Sequence, residues 1–406
     1  MEKSEHSIVN QLRFEKLVYG GDALARQEGR VIMTPFVLPG ELAAIEPVQE
    51  KPGLVRGRLI EVVEKSPDRV EPNCRHFALC GGCHYQHAGY SFQLAQKVSI
   101  LGEVLRRVGK IEPPGEIDVV SGPEWAYRNR IQLHIDGNRI GFYEAGSHRV
   151  RNIDQCPVAS PKLNQSIETL RGMLRDKRWP NFLRGLELFT NEAEVQVNVL
   201  DSGTRHVNRG FFEWCAEKMP GAMASSLEYS AAGHLFRVSH QSFFQVNRFL
   251  MDQLVETTLA GVEGDSVVDL YAGVGLFSLA QAKRGSRVMA VESGTSAVMD
   301  LEHNAQRAGI ELKAIRKQSE QFLETLGEKP DWVIADPPRA GLGKYVVRRL
   351  LDLKAPRITL VSCDPPTLAR DVAALLAGGY LLEGMTLVDL FPHTAHMETV
   401  ARLRLG

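Results

Sequence analysis

The residue best placed to do chemistry is Cys363, which lies in the stretch 362–371, SCDPPTLARD, near the C-terminal end. A short apolar run at 357–361 predicts a buried strand before it, and the helical pattern at 368–376 predicts a helix with Thr367 as its N-cap. Ligands of open α/β sheets bind at the carboxyl ends of strands, and a nearby helix N-terminus favours the reactive thiolate. Position alone leaves two interpretations open, a nucleophile or a small buried strand residue.

A second chemical signal comes from Cys74, Cys80 and Cys83, which are spaced C-x5-C-x2-C in a loop rich in glycine and histidine. Three thiolates so close together are hard to explain by packing, and Cys156, which precedes a proline, can be a fourth ligand. Zinc is the competing interpretation, because four thiolates also suit a structural zinc site. The spacing lacks the two C-x2-C pairs of a zinc ribbon, so the pattern favours an iron–sulfur cluster.

A glycine-containing turn follows the apolar run 267–270 and predicts a cofactor loop between a strand and a helix. A second predicted strand, 287–291, ends in Glu292, which lies 23 residues after Asp269. This spacing is near that of an acid that binds ribose hydroxyls. Ser278 replaces the third glycine of the dinucleotide fingerprint, which disfavours NAD and leaves S-adenosylmethionine, a cofactor without a pyrophosphate.

Two more carboxylates have positions that suggest chemistry. Asp336 follows the predicted strand 332–335, and two prolines after it fix a loop that directs the carboxylate into the crevice. Arg339 stands where amino-group methyltransferases have an aromatic residue, which argues against methylation of an exocyclic amine. Glu398 lies in a β-like run and is a candidate base, although a lone Glu in such a run is more often a surface residue.

The chain is predicted to contain three domains, with bounds 1–66, 67–235 and 236–406. Short β-rich runs separated by Gly and Pro turns predict a small OB-like barrel in the first. Strands that alternate with helices predict a parallel, doubly wound α/β sheet in the last. The predicted elements of the first two domains are strands at 30–36, 42–48 and 54–63, a helix at 90–110, strands at 127–135, 139–143 and 149–153, and helices at 163–174 and 211–218.

Two stretches offer contacts for a nucleic acid. Arg56, Arg58 and Lys65 could follow phosphates along the predicted barrel. The stretch 125–130 interleaves Trp and Tyr with Arg, a mixture that can stack bases and hold phosphates. A solvated strand face explains the first stretch at least as well, and an ordinary sheet edge explains the second about as well.

Composition sets the broad class. The 406 residues are 44% hydrophobic and 24% charged, which is typical of a globular protein of two or three domains without a membrane span. The polar start Met1–His6 carries no apolar signal core and predicts a cytoplasmic protein, whose six cysteines are ligands, catalysts or packing residues before disulfides. The net charge of −1 carries no nucleic-acid signal.

Together these motifs resemble one family over nearly the whole chain, the RNA uracil-C5 methyltransferases that use S-adenosylmethionine. The resemblance implies a Rossmann-like methyltransferase domain, an N-terminal TRAM domain of the OB type and a central α+β domain with an iron–sulfur site. It implies that Cys363 is the nucleophile and that Glu398, in a His-x-Glu setting, is the general base. The implied cofactor contacts are Gln245 in the motif 242–247, Tyr271, Leu276, Glu292, Gln318 and Asp336. The implied ligands of a [4Fe–4S] cluster are Cys74, Cys80, Cys83 and Cys156.

The resemblance also implies a mechanism. The Cys363 thiolate would add to carbon 6 of uracil, the resulting enolate would attack the methyl group, and Glu398 would remove the carbon 5 proton. The target uridine would lie in a loop or be flipped out of a stack. The family has Asn where this chain has Asp364, and a carboxylate there raises the thiol pKa unless it is paired.

The substrate follows from the domain set. A TRAM domain together with the cluster is most similar to the branch that acts on 23S ribosomal RNA, because the branch that acts on the tRNA T-loop typically lacks both. A T-loop enzyme is the alternative within this chemistry, and an RNA-binding protein that has lost catalysis is the alternative from another class. We expect a monomer with an RNA partner and no membrane association.

Overall fold

The computed structural model describes residues 10–113 and 115–406. The polar start Met1–His6, on which the predicted location depends, lies outside the described residues. The chain divides into two compact units. The first contains the described residues up to Glu103 with Tyr143–Arg149 and Phe391–His396, and the second contains Val104–Phe142, Val150–Leu390 and Met397–Gly406. In the part of the chain that is described, no helix has the length and apolarity that a membrane crossing requires.

The first unit begins with a six-stranded sheet that closes on itself. Its strands are β1 (Asn10–Arg13), β2 (Lys16–Leu17), β3 (Asp22–Gln27), β4 (Arg30–Pro35), β5 (Leu42–Lys51) and β6 (Leu54–Glu64). They pair in the order β1-β5-β6-β4-β3-β2. Because β1 and β2 are consecutive parts of one segment, their pairing with β5 and β3 at the two ends of this order curls the sheet into a small barrel.

The arginines on the barrel surface are paired with carboxylates. Arg56 contacts Asp22 at 3.1 Å, and Arg58 contacts Glu46. Further pairs of the same kind are Arg13 with Glu64, Arg26 with Glu15 and Arg30 with Glu50. A phosphate that binds here would therefore have to replace a carboxylate partner.

The cysteine loop, residues 67–89, follows the barrel and leads into α1 (Tyr90–Val104). Hydrogen bonds join this loop to the segment Phe391–His396 within the same unit. His84 N and Tyr85 N both donate to His393 O, at 2.8 and 2.9 Å, and Ala395 N donates to His84 Nδ1 at 3.2 Å. The loop has no regular secondary structure, and these backbone hydrogen bonds hold it in place.

The second unit contains a sheet that corresponds to the predicted middle strands. Its hairpin turns at Gly137-Asn138, as predicted, with His134 opposite Gly141. Its elements, after a π-helical turn at Leu105–Gly109 and β7 (Asp118–Val120), are β8 (Arg130–Asp136), β9 (Arg139–Tyr143), β10 (Val150–Asn152), α2 (Pro161–Met173), β11 (Gly185–Thr190), β12 (Val195–Asp201) and α3 (Arg209–Ala216). The strands pair in the order β10-β9-β8-β11-β12. Cys215 is fully buried in the core of this layer, where burial raises the pKa of its thiol to about 12.

Part of the aromatic and basic stretch 125–130 lies in the interior. Tyr127 is fully buried, and Arg130 lies with its guanidinium 4.2 Å from the centre of the Phe189 ring while it donates to Ser242 O. The register of β8 with β11 places Arg130 directly opposite Phe189, which turns it inward. The interpretation of this stretch as a base-stacking surface is therefore wrong for Tyr127 and Arg130.

The remaining elements form a two-stranded hairpin, β13 with β14, and a larger sheet of eight strands. They are the hairpin strands β13 (Ser226–Ala231) and β14 (His234–Ser239), followed by α4 (Met251–Thr258), β15 (Ser266–Leu270), α5 (Leu276–Lys283), β16 (Arg287–Glu292), α6 (Thr295–Ala308), β17 (Lys313–Arg316), α7 (Ser319–Thr325), β18 (Trp332–Ala335), α8 (Gly343–Leu353), β19 (Arg357–Ser362), α9 (Pro365–Ala377), β20 (Tyr380–Val388) and β21 (Glu398–Leu405). The sheet order is β17-β16-β15-β18-β19-β21-β20-β7. Strands β15 to β19 are parallel, as predicted.

The prediction of a parallel sheet is confirmed for β15 to β19 and is wrong at β21, which runs antiparallel to both β19 and β20. The segment 389–397 between β20 and β21 contains no helix and is too short for the crossover that a parallel pair needs. The reversal has a direct consequence for the site. It brings the first residue of β21, instead of its last, to the edge where the parallel strands end.

Candidate active site

Cys363 lies between β19 and α9, directly after the last residue of the strand. Asp364, and not Thr367, is the N-cap of α9, because Asp364 Oδ1 accepts a hydrogen bond from Thr367 N at 3.0 Å. The N-cap prediction was three residues late. Pro365 and Pro366 fit the first turn, where a backbone N–H has no partner within the helix.

Asp364 was expected to raise the thiol pKa unless it is paired, and its carboxylate is engaged in the helix cap. Burial raises the pKa of the Cys363 thiol to about 11, and the charges of Glu398 and Asp336 add to this effect. Arg339 lowers the same pKa through its charge and a hydrogen bond to the thiol. Arg339 is therefore the cation that favours the thiolate, a role that the sequence interpretation missed although the residue follows the two prolines.

Glu398 is the first residue of β21 and lies beside Cys363. Ser362 is opposite Thr399 in the antiparallel register, so the position after Ser362 meets the position before Thr399. Glu398 is only 4% exposed, and among the described residues its Oε1 has no hydrogen-bond partner. Burial and the charge of Asp336 raise the pKa of this carboxyl well above its usual range. A buried acid with an unused oxygen next to a thiol is suited to proton transfer.

Gln245 and Asp336 meet at the same edge of the sheet. Gln245 Nε2 donates to Asp336 Oδ2 at 3.4 Å, and Asp336 N donates to Leu270 O at the end of β15. Behind them lies Asp269, which is fully buried and accepts a hydrogen bond from Ser278. Burial raises the pKa of both aspartates to about 7, and the charge of Asp269 further raises that of Asp336.

Glu292 connects the predicted cofactor loop after β15 with the turn between β16 and α6. Its Oε2 accepts from Gly273 N at 3.0 Å, and its Oε1 accepts from Gly294 N at 2.7 Å. Gly275 lies in the left-handed region with φ +98°, and an added Cβ there would lie 2.5 Å from Leu279 Cδ1. The turn therefore requires glycine at this position, and Glu292 holds the loop from the neighbouring strand.

Tyr271, Leu276 and Gln318 surround the same loop. Tyr271 has a left-handed backbone with φ 62°, its side chain hydrogen-bonds Ser319, and burial raises its pKa to about 12. Leu276 is buried at the first position of α5, and Gln318 is the exposed N-cap of α7, directly before Ser319. The three predicted cofactor positions thus lie at the ends of β15 and β17 and at the starts of the helices that follow.

Asp300 of α6 is a buried residue of this region that the sequence interpretation missed. Its Oδ2 accepts from Ser242 Oγ at 2.6 Å, and its Oδ1 accepts from Ser239 Oγ at 2.8 Å and Arg237 Nε at 2.7 Å. Asp300 therefore anchors the chain three residues before Gln245. Its position on the apolar face of the helical pattern 295–308, beside Leu301, was the signal that could have identified it.

The predicted cluster cysteines are partly exposed, and three of them share the loop of the first unit. Gly82 N points to Cys80 Sγ at 3.4 Å, and Cys74 N donates to Gln86 Oε1. Across residues 10–113 and 115–406, no group of three or more His, Cys, Asp or Glu side chains is arranged to hold a metal ion, and no disulfide is present. Cysteine thiolates are the ligands of iron–sulfur clusters, and backbone amides commonly donate to their sulfurs, as Gly82 N does to Cys80 Sγ.

Comparison with known proteins bears on this site. Residues 222–404 match the family model of the tRNA (uracil-5-)-methyltransferases. The chain is 31% identical to the 23S rRNA (uracil(1939)-C(5))-methyltransferase RlmD of Methylococcus capsulatus, over 95% of each chain. It is 32% identical to the RlmD of Cronobacter sakazakii, over 94% of this chain and 93% of that one.

A solved structure is also similar over almost the whole chain. It is the tRNA (uracil-54, C5)-methyltransferase of Pyrococcus abyssi in complex with S-adenosyl-L-homocysteine. The TM-score is 0.78 and the identity 29%, with 97% of this chain and 99% of that chain covered. The large sheet thus has the fold of S-adenosylmethionine-dependent methyltransferases. The predicted family is confirmed: the chain belongs to the S-adenosylmethionine-dependent RNA uracil-C5 methyltransferases.

Proposed function

We propose that the protein transfers a methyl group from S-adenosylmethionine to carbon 5 of a uridine in 23S ribosomal RNA, which gives 5-methyluridine. The observation that carries this proposal is the register of β19 with β21, which places Glu398 beside Cys363. A thiol and a buried acid at one edge of a methyltransferase sheet are the two groups that this reaction needs. The RlmD relatives support the choice of ribosomal RNA.

S-adenosylmethionine supplies an electrophilic methyl group on a positively charged sulfur. Cys363 loses its proton, and the thiolate adds to carbon 6 of the uracil ring, which makes carbon 5 nucleophilic as part of an enolate. Carbon 5 takes the methyl group as its bond to the cofactor sulfur breaks, which leaves S-adenosylhomocysteine, and Glu398 then accepts the proton that carbon 5 still carries. The electron pair of that C–H bond re-forms the C5–C6 double bond and expels the thiolate. Arg339 favours the thiolate at the start and at the end of this cycle.

The cofactor is proposed to bind along the edge formed by the ends of β15, β16 and β18. Glu292 is proposed to meet the ribose hydroxyls, while its carboxylate also holds the two glycine turns. The residues proposed to contact the cofactor are Gln245, Tyr271, Leu276, Glu292, Gln318 and Asp336. The hydrogen bond of Gln245 with Asp336 supports their joint role.

Cys74, Cys80, Cys83 and Cys156 are proposed to hold a [4Fe–4S] cluster. Four thiolates would occupy all four irons, so the cluster would stabilise the protein without an open site for catalysis. The support is the spacing of the cysteines and the amide directed at Cys80 Sγ.

The barrel of the first unit is proposed to be a TRAM domain that contacts RNA. Its closed six-stranded sheet supports this, because OB-type barrels commonly bind nucleic acids. Arg56 and Arg58 would exchange their carboxylate partners for phosphates, and exposed ion pairs are weak enough for such an exchange. The domain bounds 1–66, 67–235 and 236–406, a cytoplasmic location and a monomeric state complete the proposal.

A uridine of the tRNA T-loop is the second candidate substrate. The tRNA enzyme of Pyrococcus abyssi is similar over 97% of this chain, a share that includes the barrel and the cysteine loop. These segments therefore do not by themselves separate the two substrates. An RNA-binding protein without catalysis is disfavoured, because Cys363 and Glu398 are both present and adjacent.

Methylation of purified RNA tests the proposal. The protein would be incubated with S-adenosylmethionine and either unmodified 23S RNA or unmodified tRNA, and the 5-methyluridine positions would be mapped. We expect methylation of 23S RNA by the wild type and none by Cys363→Ala. Methylation of the tRNA T-loop and not of 23S RNA would show that the substrate is tRNA. Turnover by Cys363→Ala would reject the mechanism.

A further inference from the structure

Helix α9 contacts the loop that carries Arg339. Three of its residues, at the one-face spacing i, i+3, i+4, bind three backbone groups of the loop 336–342, here called the arginine loop. The contacts are Thr367 Oγ1 with Arg339 O (3.2 Å), Arg370 Nη2 with Ala340 O (2.9 Å) and Asp371 Oδ2 with Leu342 N (2.7 Å). We call Thr367, Arg370 and Asp371 the clamp residues.

Gly341 shows how closely the loop rests on the helix. Its φ of +76° is in the left-handed region, and its N–H closes a turn onto Pro338 O at 2.8 Å. An added Cβ would lie 2.4 Å from Asp371 Oδ2, 2.7 Å from Arg370 Nη2 and 3.1 Å from Thr367 Cβ. All three clamp residues thus border one point of the loop, where no side chain fits.

The clamp residues connect the helix that follows Cys363 to the loop that carries Arg339. Cys363 precedes α9, and Arg339, which hydrogen-bonds its thiol, lies in the loop that the same helix holds. The charged groups that face the thiol are Glu398 from β21 and Asp336 and Arg339 from the arginine loop. The clamp contacts are made to the backbone of the arginine loop.

We propose that Thr367, Arg370 and Asp371 are positioning residues that hold Arg339 at the Cys363 thiol and so keep the nucleophile reactive at neutral pH. The proposal rests on the proposed function, in which Cys363 attacks uracil. The clamp acts through Arg339, because loss of a backbone contact lets the arginine loop move away from the helix that begins beside the thiol.

The test is the pH profile of adduct formation with RNA that contains 5-fluorouridine, measured from about pH 6 to about pH 10 to cover thiol ionisation. Thr367→Val removes the hydroxyl but keeps the side-chain shape, and Arg370→Ala removes a side chain that is 46% exposed. We expect both variants to form the adduct about three- to tenfold more slowly at neutral pH, the factor of one lost hydrogen bond. Their profiles should also shift to higher pH.

Two controls accompany these variants. Thr367→Ser keeps the hydroxyl and should restore the wild-type profile. Arg357→Ala removes an arginine of similar exposure, 43%, at the end of β19 away from Cys363, where its partner is Glu383 of β20, and it should leave the profile unchanged. Binding of S-adenosylhomocysteine by all variants should equal that of the wild type.

The outcomes separate this proposal from the proposed function. Wild-type profiles in Thr367→Val and Arg370→Ala would overturn the clamp and leave the function intact. An equal loss of rate at every pH, with weaker S-adenosylhomocysteine binding, would show a general structural role and also overturn it. Absence of any adduct in the wild type would reject the proposed function together with the clamp.

Discussion

The thiol of Cys363 and the carboxyl of Glu398 both favour their protonated forms in the protein without RNA. Burial raises both pKa values, to about 11 for Cys363 and well above the usual range for Glu398. The neighbouring carboxylates raise them further, and Arg339 opposes the shift in both groups. The reaction needs each group as an anion at a different step, so Arg339 is expected to matter at both.

Removal of Arg339 should therefore slow the first step. A thiol with a raised pKa forms more thiolate as pH rises, so adduct formation by the wild type should become faster from about pH 7 upward. We expect Arg339→Gln to form the 5-fluorouridine adduct about tenfold more slowly at neutral pH and to need a higher pH for the same rate. Arg339→Lys keeps the positive charge, so its rate of adduct formation should lie between those of the wild type and Arg339→Gln. An unchanged profile in Arg339→Gln would show that the guanidinium does not assist the thiolate.

Removal of the Glu398 charge should affect the last step. Glu398→Gln keeps the size of the side chain but cannot accept the proton from carbon 5. We expect a covalent protein–RNA complex that is already methylated, seen as a slow band on a denaturing gel and confirmed by mass spectrometry of the digested adduct. Cys363→Ala serves as the control that forms no complex. Normal release of 5-methyluridine by Glu398→Gln would assign the base to another residue.

At the scale of elements, α6 supports the cofactor edge from behind. One carboxylate oxygen of Asp300 accepts a hydrogen bond from Ser242 Oγ, and the other accepts one from Ser239 Oγ. Ser242 is the first residue of the motif 242–247, in which Gln245 contacts Asp336. Ser239 is the last residue of β14. The two serines thus offer a matched pair, one in the motif that contains Gln245 and one at the end of β14.

Ser242→Ala should weaken cofactor binding through Gln245. We expect S-adenosylhomocysteine to bind about three- to tenfold more weakly, because one hydrogen bond that fixes the motif is lost. Ser239→Ala should bind it like the wild type. Calorimetry would give the free energy of S-adenosylhomocysteine binding for Ser242→Ala, Gln245→Ala and the double variant. In such a double-mutant cycle the free-energy changes of two residues that act together do not add up. Strict additivity would show that Ser242 does not act through Gln245.

At the scale of the whole molecule, the four proposed cluster ligands come from distant parts of the chain, Cys74–Cys83 and Cys156. Ligation would tie these parts together and so stabilise the protein as a cross-link does. Cys215 is a suitable control, because it is buried in the core of the middle sheet and away from the proposed ligands in sequence.

Protein purified without oxygen should be brown and absorb near about 400 nm, as thiolate-bound iron–sulfur clusters do. Cys80→Ser and Cys83→Ser should lose iron and become unstable or insoluble, whereas Cys215→Ala should keep its iron. Removal of iron from the wild type with a chelator should lower its melting temperature. Stoichiometric zinc in the anaerobic protein would contradict the cluster.

Local patterns along the chain determined the elements and the chemistry of individual motifs. Strand 332–335 and the hairpin at Gly137-Asn138 were predictable because apolar runs and turn residues depend on near neighbours in sequence. The motif around Cys363 and the pattern of cysteines indicated the family for the same reason, since each motif is short and continuous.

Only the tertiary structure decided which of these residues meet. The antiparallel direction of β21 places Glu398 beside Cys363, and no local pattern encodes the direction of a strand that inserts between two others. Asp300 anchors a segment some sixty residues away, since Ser242 precedes it by 58 positions. Tyr127 is buried although the residues around it suggested a base-stacking surface. Burial depends on which parts of the chain, distant in sequence, pack against a residue. Contacts between distant residues arise only when the whole fold forms, and they position the reacting groups.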